Sequence, residues 1–251
     1  MMAQPHVQIW KRLLLVWILA GACLWWSACD PPSSATEVYT YLEEPSPSGT
    51  GKVYMGREIA QVTDHDPGAL WLERPEREAT EFPQRVVQAL DLQPTDVVAD
   101  IGAGTGYFTF RLSQHVPEGK VLAVDIQQEM LDRIRARMVA DSVDNVELIL
   151  GTVEDPNLPP AHLDEAVVVV SYHEFSHPYE MMTHIVEALK PGGRLVLVEY
   201  RGEDATLQVD PLHKMTEAQA RREMEAIGLV WAETKDVLPQ QHFMVFEKPI
   251  P

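Results

Sequence analysis

Residues 97–106 read VVADIGAGTG, in which a short apolar run passes directly into a glycine-rich turn. Such a run is typical of a strand that is buried on both faces of a parallel sheet. Gly102, Gly104 and Gly106 have no Cβ atom, so the turn can be tight and a ligand can approach its backbone closely. The segment therefore predicts an α/β fold with a ligand site at the carboxyl end of this strand.

Other apolar runs follow at 121–125, 146–150, 166–171 and 194–199. Apolar residues at helical spacing lie between them, and this alternation predicts a parallel, doubly wound sheet with helices on both faces. After a further helical pattern that stops at Gly228, runs at 230–237 and 242–247 are joined by a short connection. The connection is too short for a parallel crossover, so it predicts an antiparallel C-terminal hairpin.

The composition excludes several classes of function. The chain has 251 residues and a formal net charge of −18, which disfavours nucleic acid as a partner. Its two cysteines, Cys23 and Cys29, both lie near the N-terminus. The main domain therefore has no thiol for a disulfide, a metal site or nucleophilic catalysis.

The N-terminal 29 residues predict a signal peptide or a membrane anchor. Two basic residues precede an apolar run at 13–29, the order found in export signals. Cys29 resembles the lipid-accepting cysteine of bacterial lipoproteins, and Cys23 is a competing site. We expect an exported lipoprotein or membrane-anchored protein on the periplasmic side; an anchor that leaves the domain facing the cytoplasm is the alternative.

The rest of the chain divides into three parts. Residues 30–52 are rich in Pro, Ser and Gly and predict a flexible linker. Residues 53–83 mix apolar residues with charges and prolines, which predicts an ordered N-terminal arm or lid. The main domain is expected over 84–251.

Asp125 ends the second predicted strand, where its carboxylate can accept hydrogen bonds from both hydroxyls of an adenosine ribose. A glycine-rich turn with such an acid also suits an NAD-dependent oxidoreductase. The dinucleotide fingerprint, however, is G-x-G-x-x-G. Here the spacing is G-x-G-x-G, and Tyr107 stands in place of the last glycine, which disfavours NAD.

Three segments, taken in order, resemble class I S-adenosylmethionine (SAM) dependent methyltransferases: DIGAGTG at 100–106, VLAVDI at 121–126 and LKPGGRLVLVE at 189–199. The resemblance extends over about 84–248 and is greatest to small-molecule methyltransferases of the ubiquinone/menaquinone-biosynthesis type. It implies a Rossmann-like, mostly parallel sheet of seven strands, with SAM as the cofactor. It also implies a small or moderately apolar methyl acceptor.

The resemblance assigns cofactor roles to particular positions. Asp100 and the turn backbone would hold the amino-acid portion of SAM, Asp125 the ribose, and Ile126 the adenine face. The family often has a Gly-Asp pair after the third strand, but here the pair is Gly151-Thr152. Thr152, the Val153 backbone or Glu154 could replace the missing acid, or the segment is a plain turn. The expected cofactor set is Asp100, Gly102, Ala103, Gly104, Gly106, Asp125, Ile126, Thr152, Val153, Glu154 and Ser171.

The acceptor is expected near SYHEFSH, residues 171–177, after the fourth predicted strand. Methyl transfer mainly requires alignment and exclusion of water. His173 or Glu174 could act as a base if the acceptor must lose a proton, or the two could be a structural pair that caps the next helix. No metal is expected, because His173, Glu174 and His177 have no further ligands at a recognisable spacing. Residues predicted for the lid or the acceptor side are Tyr54, Met55, Trp71, Arg74, Tyr172, Tyr200 and His213.

The export signal conflicts with a cofactor that is made in the cytoplasm. An exported, non-catalytic protein that binds SAM or another nucleoside is therefore the alternative to an enzyme.

Overall fold

The described N-terminal part of the chain forms an antiparallel sheet of three strands, β1 (Tyr39–Tyr41), β2 (Gly49–Tyr54) and β3 (Arg57–Ala60). The computed structural model describes residue 1 and residues 38–62 and 65–251, without the side chains of 65–68. The helices α1 (His65–Leu72), α2 (Glu76–Thr80) and α3 (Pro83–Leu90) follow. The predicted arm therefore consists of regular elements joined by short turns.

The flexible linker predicted for 30–52 is wrong for its described part, because β1 and β2 pair there. The Glu58 carboxylate closes the loop before β2 by accepting hydrogen bonds from the backbone nitrogens of Ser46 and Gly51, both at 3.0 Å. Residues rich in Pro, Ser and Gly are common both in solvated linkers and in tight turns. Composition alone therefore does not distinguish a linker from a turn. The hydrogen bonds to Glu58, which lies further along the chain, show that this segment is an ordered turn.

A larger sheet forms the centre of the domain. Its strands are β4 (Val97–Ile101), β5 (Lys120–Asp125), β6 (Val146–Leu150), β7 (Leu163–Val169), β8 (Leu189–Arg201), β9 (Lys214–Met215), β10 (Val230–Lys235) and β11 (Gln241–Glu247). Seven strands lie in the order β10-β11-β8-β7-β4-β5-β6, and the two-residue β9 pairs with β8. The pairs from β6 to β8 are parallel, whereas β11 is antiparallel to both of its neighbours. The predicted Rossmann-like sheet and its C-terminal hairpin are confirmed.

The remaining helices are α4 (Thr109–Ser113), α5 (Gln128–Asp141), α6 (Pro178–Ala188) and α7 (Glu217–Ala226). Helices α3, α4 and α5 pack on one face of the sheet through buried residues such as Leu90, Leu112 and Ile134. Helices α6 and α7 pack on the other face, through Met182 and Met224 among others. Burial of apolar surface on both faces explains why the strands are almost uniformly apolar.

The strand order reverses at β4, which lies between β5 and β7. Connections leave β4 towards one side of the sheet and return to its other side, so a crevice opens at the carboxyl ends of these strands. This is the position at which open α/β sheets bind ligands.

The predicted signal at 1–29, with Cys23 and Cys29, lies outside the described residues apart from Met1. Among the described helices, none is both long enough and apolar enough to cross a bilayer.

Candidate active site

A cavity of about 530 Å³ opens at the carboxyl ends of β4, β5 and β7. Its volume lies within the roughly 300–1,000 Å³ usual for small-molecule and cofactor sites. The predicted site residues that line it are Trp71, Gly102, Gly104, Asp125, Ile126, Val153, Ser171, His173, Glu174, Tyr200 and His213. The other predicted site residues in the domain lie outside its lining: Tyr54, Met55, Arg74, Asp100, Ala103, Gly106, Thr152, Glu154 and Tyr172.

We call the side formed by Gly102, Gly104, Asp125 and Ile126 the cofactor wall. Its glycine turn needs glycine for conformational reasons, because φ is +72° at Gly102 and +55° at Gly104. At Gly106, where φ is +82°, a Cβ atom would lie 2.8 Å from the Phe110 ring. Gly106 therefore has no room for a side chain where it packs against Phe110.

Asp125 organises the cofactor wall. One carboxylate oxygen accepts a hydrogen bond from the Gly104 nitrogen at 2.8 Å, and the other accepts one from the Gln127 nitrogen, also at 2.8 Å. Burial raises the pKa of Asp125, and the backbone donors partly oppose that rise. Each carboxylate oxygen can accept a further hydrogen bond, so the group suits a pair of ribose hydroxyls.

Asp100 has a different environment from Asp125. Its carboxylate is buried and accepts a hydrogen bond from the Thr109 hydroxyl at 2.6 Å. Burial raises the pKa of Asp100 to about 6. The hydrogen bond from Thr109 connects the end of β4 to the start of α4. The contact of Asp100 with the amino-acid portion of SAM stays a prediction.

The turn after β6 presents apolar atoms to the cavity. The Thr152 hydroxyl accepts hydrogen bonds from the backbone nitrogens of Asp155 at 2.9 Å and Glu154 at 3.2 Å, so it closes the turn. Ile126 and Val153, with exposed fractions of 38% and 43%, line the cavity beside it. The plain turn left open by the sequence therefore accounts for Thr152, while Ile126 and Val153 form an apolar surface suited to an adenine face.

We call the opposite side, formed by His173, Glu174, Tyr200 and His213, the acceptor wall. A short 3-10 turn after β7, Tyr172–Glu174, places His173 there. Its Nδ1 atom lies 2.7 Å from a carboxylate oxygen of Glu199 on β8. Burial lowers the pKa of His173, but the negative charge and hydrogen bond of Glu199 outweigh it, and the net shift is upward.

His213 approaches His173 from a separate segment, the turn Pro211–His213 before β9. The two ring centroids are 4.9 Å apart. Together with Glu174, the two histidines bring three potential ligand atoms within 4.8 Å of one another. The sequence placed His177 near His173 and Glu174 and predicted no metal; in the structure the His177 Nε2 atom lies 3.7 Å from a Glu154 oxygen.

A buried charge cluster supports the acceptor wall. Arg57 on β3 donates to both carboxylate oxygens of Glu223, each at 3.0 Å, and to the carbonyl oxygen of His173 at 3.2 Å. The Tyr172 hydroxyl donates to Glu223 at 2.6 Å. Tyr172 is therefore a supporting residue behind the wall. Sequence reasoning missed Arg57 and Glu223, since single charges in an arm and on a helix carry no distinguishing pattern.

Tyr54 and Met55 lie away from the cavity. Tyr54 is buried and its ring packs 5.6 Å from that of Tyr39. Met55 is 41% exposed in the turn between β2 and β3. Their predicted lid contact does not form in this structure, because the small N-terminal sheet turns these side chains into packing and surface positions.

The helical part of the arm does reach the cavity. Trp71 and Leu72 line it, and the Arg74 guanidinium stacks 3.8 Å from the Trp71 ring centroid. Arg74 also pairs with Glu81, which accepts a hydrogen bond from the Tyr200 hydroxyl at 3.0 Å. These contacts join the arm to β8 and close one end of the cavity.

Residues 98–193 match the family model of a methyltransferase domain. The chain is similar to the ubiquinone/menaquinone biosynthesis C-methyltransferase of Ectopseudomonas mendocina, with 29% identity over 116 residues. The alignment covers 45% of this chain and 45% of that protein, so the chain spans less than half the length of this relative.

Solved structures show the same fold. A SAM-dependent methyltransferase from Aquifex aeolicus superposes with a TM-score of 0.69 at 22% identity, covering 74% of this chain and 100% of that one. The [4+2]-cyclase SpnF superposes with a TM-score of 0.61 at 16% identity, covering 78% of this chain and 87% of that one. Residues 98–193 are thus similar in sequence to methyltransferase domains, and the fold is the one that these solved structures share.

Proposed function

We propose that this chain transfers the methyl group of SAM to a small or moderately apolar acceptor. The observation that carries the proposal is the continuity of the cavity, which joins the glycine turn and Asp125 to His173 and Glu174. A cofactor held on one wall would face an acceptor held on the other. The proposal rests on the residues of this cavity, because the same fold supports many different reactions.

The residues of the cofactor wall fit SAM. The turn at Gly102 and Gly104 leaves backbone accessible where a Cβ atom would narrow the cavity. Asp125 is positioned to accept from ribose hydroxyls, and Ile126 and Val153 offer apolar surface to the adenine. Bound SAM supplies an activated methyl group on a sulfonium, so the protein's task is alignment and exclusion of water.

The acceptor wall supplies that alignment. Glu199 fixes the orientation of the His173 ring through Nδ1, which leaves Nε2 as the polar atom available to an acceptor. Trp71 and Leu72 cover the cavity from the arm. Turnover then depends on how closely His173 and Glu174 hold the acceptor's reacting atom against the methyl carbon.

Calorimetry of the full chain with SAM, S-adenosylhomocysteine and NAD tests the cofactor. We expect both sulfur compounds to bind and NAD not to bind. Binding of NAD alone would refute the proposal. Turnover is then measured as transfer of label from SAM to lipid, quinone and peptide extracts, with Asp125→Ala as the inactive control.

The alternative is a protein that binds SAM without transferring its methyl group. The predicted export signal favours this alternative, because SAM is made in the cytoplasm. Saturable binding of S-adenosylhomocysteine with no labelled product in any extract would support it over the enzyme.

We also propose that the chain is exported and lipidated at Cys29, because Cys29 stands at the end of the signal-like run. Labelling of cells with palmitate should mark the parent protein and a Cys23→Ser variant but not a Cys29→Ser variant. Equal labelling of the Cys29→Ser variant would refute this assignment.

A further inference from the structure

We propose that His173, Glu174 and His213 bind a divalent transition metal ion on the acceptor wall. Their potential ligand atoms all lie within 4.8 Å of one another, although the helix α6 and the strand β8 separate His213 from the other two in the chain. Two imidazoles and one carboxylate form a donor set that binds Zn²⁺ or Fe²⁺. The inference concerns metal binding and is independent of methyl transfer.

The orientation of His173 matches that of a metal ligand. Histidine ligands usually donate their second ring N–H to a carboxylate or carbonyl, which fixes the tautomer and points the other nitrogen at the ion. Glu199 occupies that position, 2.7 Å from Nδ1 of His173. Nε2 then points towards Glu174, 4.0 Å from one of its carboxylate oxygens.

The backbone that carries His173 is also held in place. The Arg57 guanidinium donates to its carbonyl oxygen at 3.2 Å, and Arg57 is itself anchored by Glu223. The His173 backbone nitrogen donates to Glu199 at 3.3 Å. The ring, the backbone nitrogen and the carbonyl oxygen of His173 are thus all held by hydrogen bonds. Little conformational entropy is then lost when this side chain binds an ion.

The distances are compatible with one ion after a small adjustment. Ligand atoms bound about 2.1 Å from a shared tetrahedral ion stand roughly 3.4 Å apart. The present ligand atoms lie within 4.8 Å of one another, so they would have to approach by about an ångström or slightly more. Glu174 and His213 are only partly buried, so rotation of their side chains can close the gap.

The position in the cavity indicates the kind of site. All three residues line the cavity, so an ion that they bind would keep coordination positions open towards it. Sites with three protein ligands and an open position are typical of reactive metals, whereas structural zinc sites are closed by four protein ligands. A small molecule with an oxygen donor is the class of ligand that could fill the open position.

The test is titration of the metal-free, tag-free full chain with Co²⁺, followed by its visible absorption, and then displacement by Zn²⁺. We expect one saturable site per chain. His213→Ala should weaken Co²⁺ binding by roughly 100-fold or more, since loss of an outer partner alone costs about 10- to 100-fold. Glu199→Gln removes only the outer partner of His173, so it should weaken Co²⁺ binding by about 10- to 100-fold.

His184→Ala is the matched control, because His184 also lies near a carboxylate, 3.3 Å from Glu187, but on the surface. It should leave Co²⁺ binding unchanged. Equal affinity in the parent and in His213→Ala, or an equal loss in His184→Ala, would overturn the proposal. If His213→Ala does not fold, Glu174→Gln makes the same test. Binding of S-adenosylhomocysteine, measured in parallel, separates failure of the metal site from failure of the cofactor site.

Discussion

The cofactor wall and the acceptor wall face the same cavity but are built in different ways. The cofactor wall uses backbone amides and one carboxylate from two consecutive strands, β4 and β5. The acceptor wall uses side chains from the turn after β7, from β8 and from the turn before β9, and it rests on an ion pair between β3 and α7. The first wall is local in the chain, and the second is assembled from distant segments.

This difference predicts that the acceptor wall depends more on buried charge. Arg57→Ala would leave Glu223 buried without its partner, and breaking such a pair costs about 3–5 kcal/mol. The free energy of unfolding, measured with denaturant, should fall by that amount. Arg135→Ala, which removes an exposed arginine paired with Asp132, should cost no more than about 1 kcal/mol. Equal losses in the two variants would contradict the conclusion that buried charge stabilises the support of the acceptor wall.

Asp100, at the end of β4 behind the cofactor wall, is a buried carboxylate whose charge opposes folding. Burial raises the pKa of Asp100 from its ordinary 3.8 to about 6, so its protonated form favours the folded state. That contribution is fully present below the ordinary pKa and is lost as the pH rises through about 6. Relative to the parent, Asp100→Asn should become more stable by up to about 3 kcal/mol between about pH 4 and pH 7. Asparagine keeps an oxygen for Thr109, and a stability difference independent of pH would contradict this prediction.

Asp125→Ala tests whether the cofactor wall binds through its carboxylate. Each hydrogen bond to a charged group contributes about 1.5–3 kcal/mol. The affinity for S-adenosylhomocysteine should therefore fall by about 100-fold in calorimetry. Asp132→Ala, on the exposed face of α5, is the control and should bind as the parent does. Unchanged affinity in Asp125→Ala would place the cofactor elsewhere.

Gly102→Ala tests the space between the glycine turn and Ser171, and it has the smallest expected effect. A Cβ atom at Gly102, with φ at +72°, would lie 2.9 Å from the Ser171 hydroxyl oxygen. The left-handed backbone alone should cost about 1–2 kcal/mol of stability. Gly56→Ala has a similar φ of +91° but meets nothing within 4 Å, so it should lose a comparable amount of stability and no affinity for S-adenosylhomocysteine. Loss of affinity only in Gly102→Ala would confirm that the space at this turn belongs to the ligand.

The part of the site that the sequence predicts is the cofactor wall, whose residues are close together in the chain. A buried strand, its glycine turn and the acid that ends the next strand are close in sequence, and parallel strands place their carboxyl ends together. For that reason the sequence predicts a ligand site at Gly102, Gly104 and Asp125, and all three line the cavity. The place of Ile126 beside them was implied by the family resemblance. The C-terminal hairpin was predictable on the same ground, because a short connection permits only antiparallel pairing.

Three-dimensional packing was needed for the rest. The approach of His213 to His173 follows from where β9 pairs along β8, and no spacing in the chain encodes it. Arg57 reaches His173 because residues expected to be a linker pair as strands. Local pattern specifies strands, turns and the backbone site between them. A charged side chain can be buried only beside a partner. Arg57 and Glu223 become partners only when the sheet, α7 and the N-terminal strands have packed together.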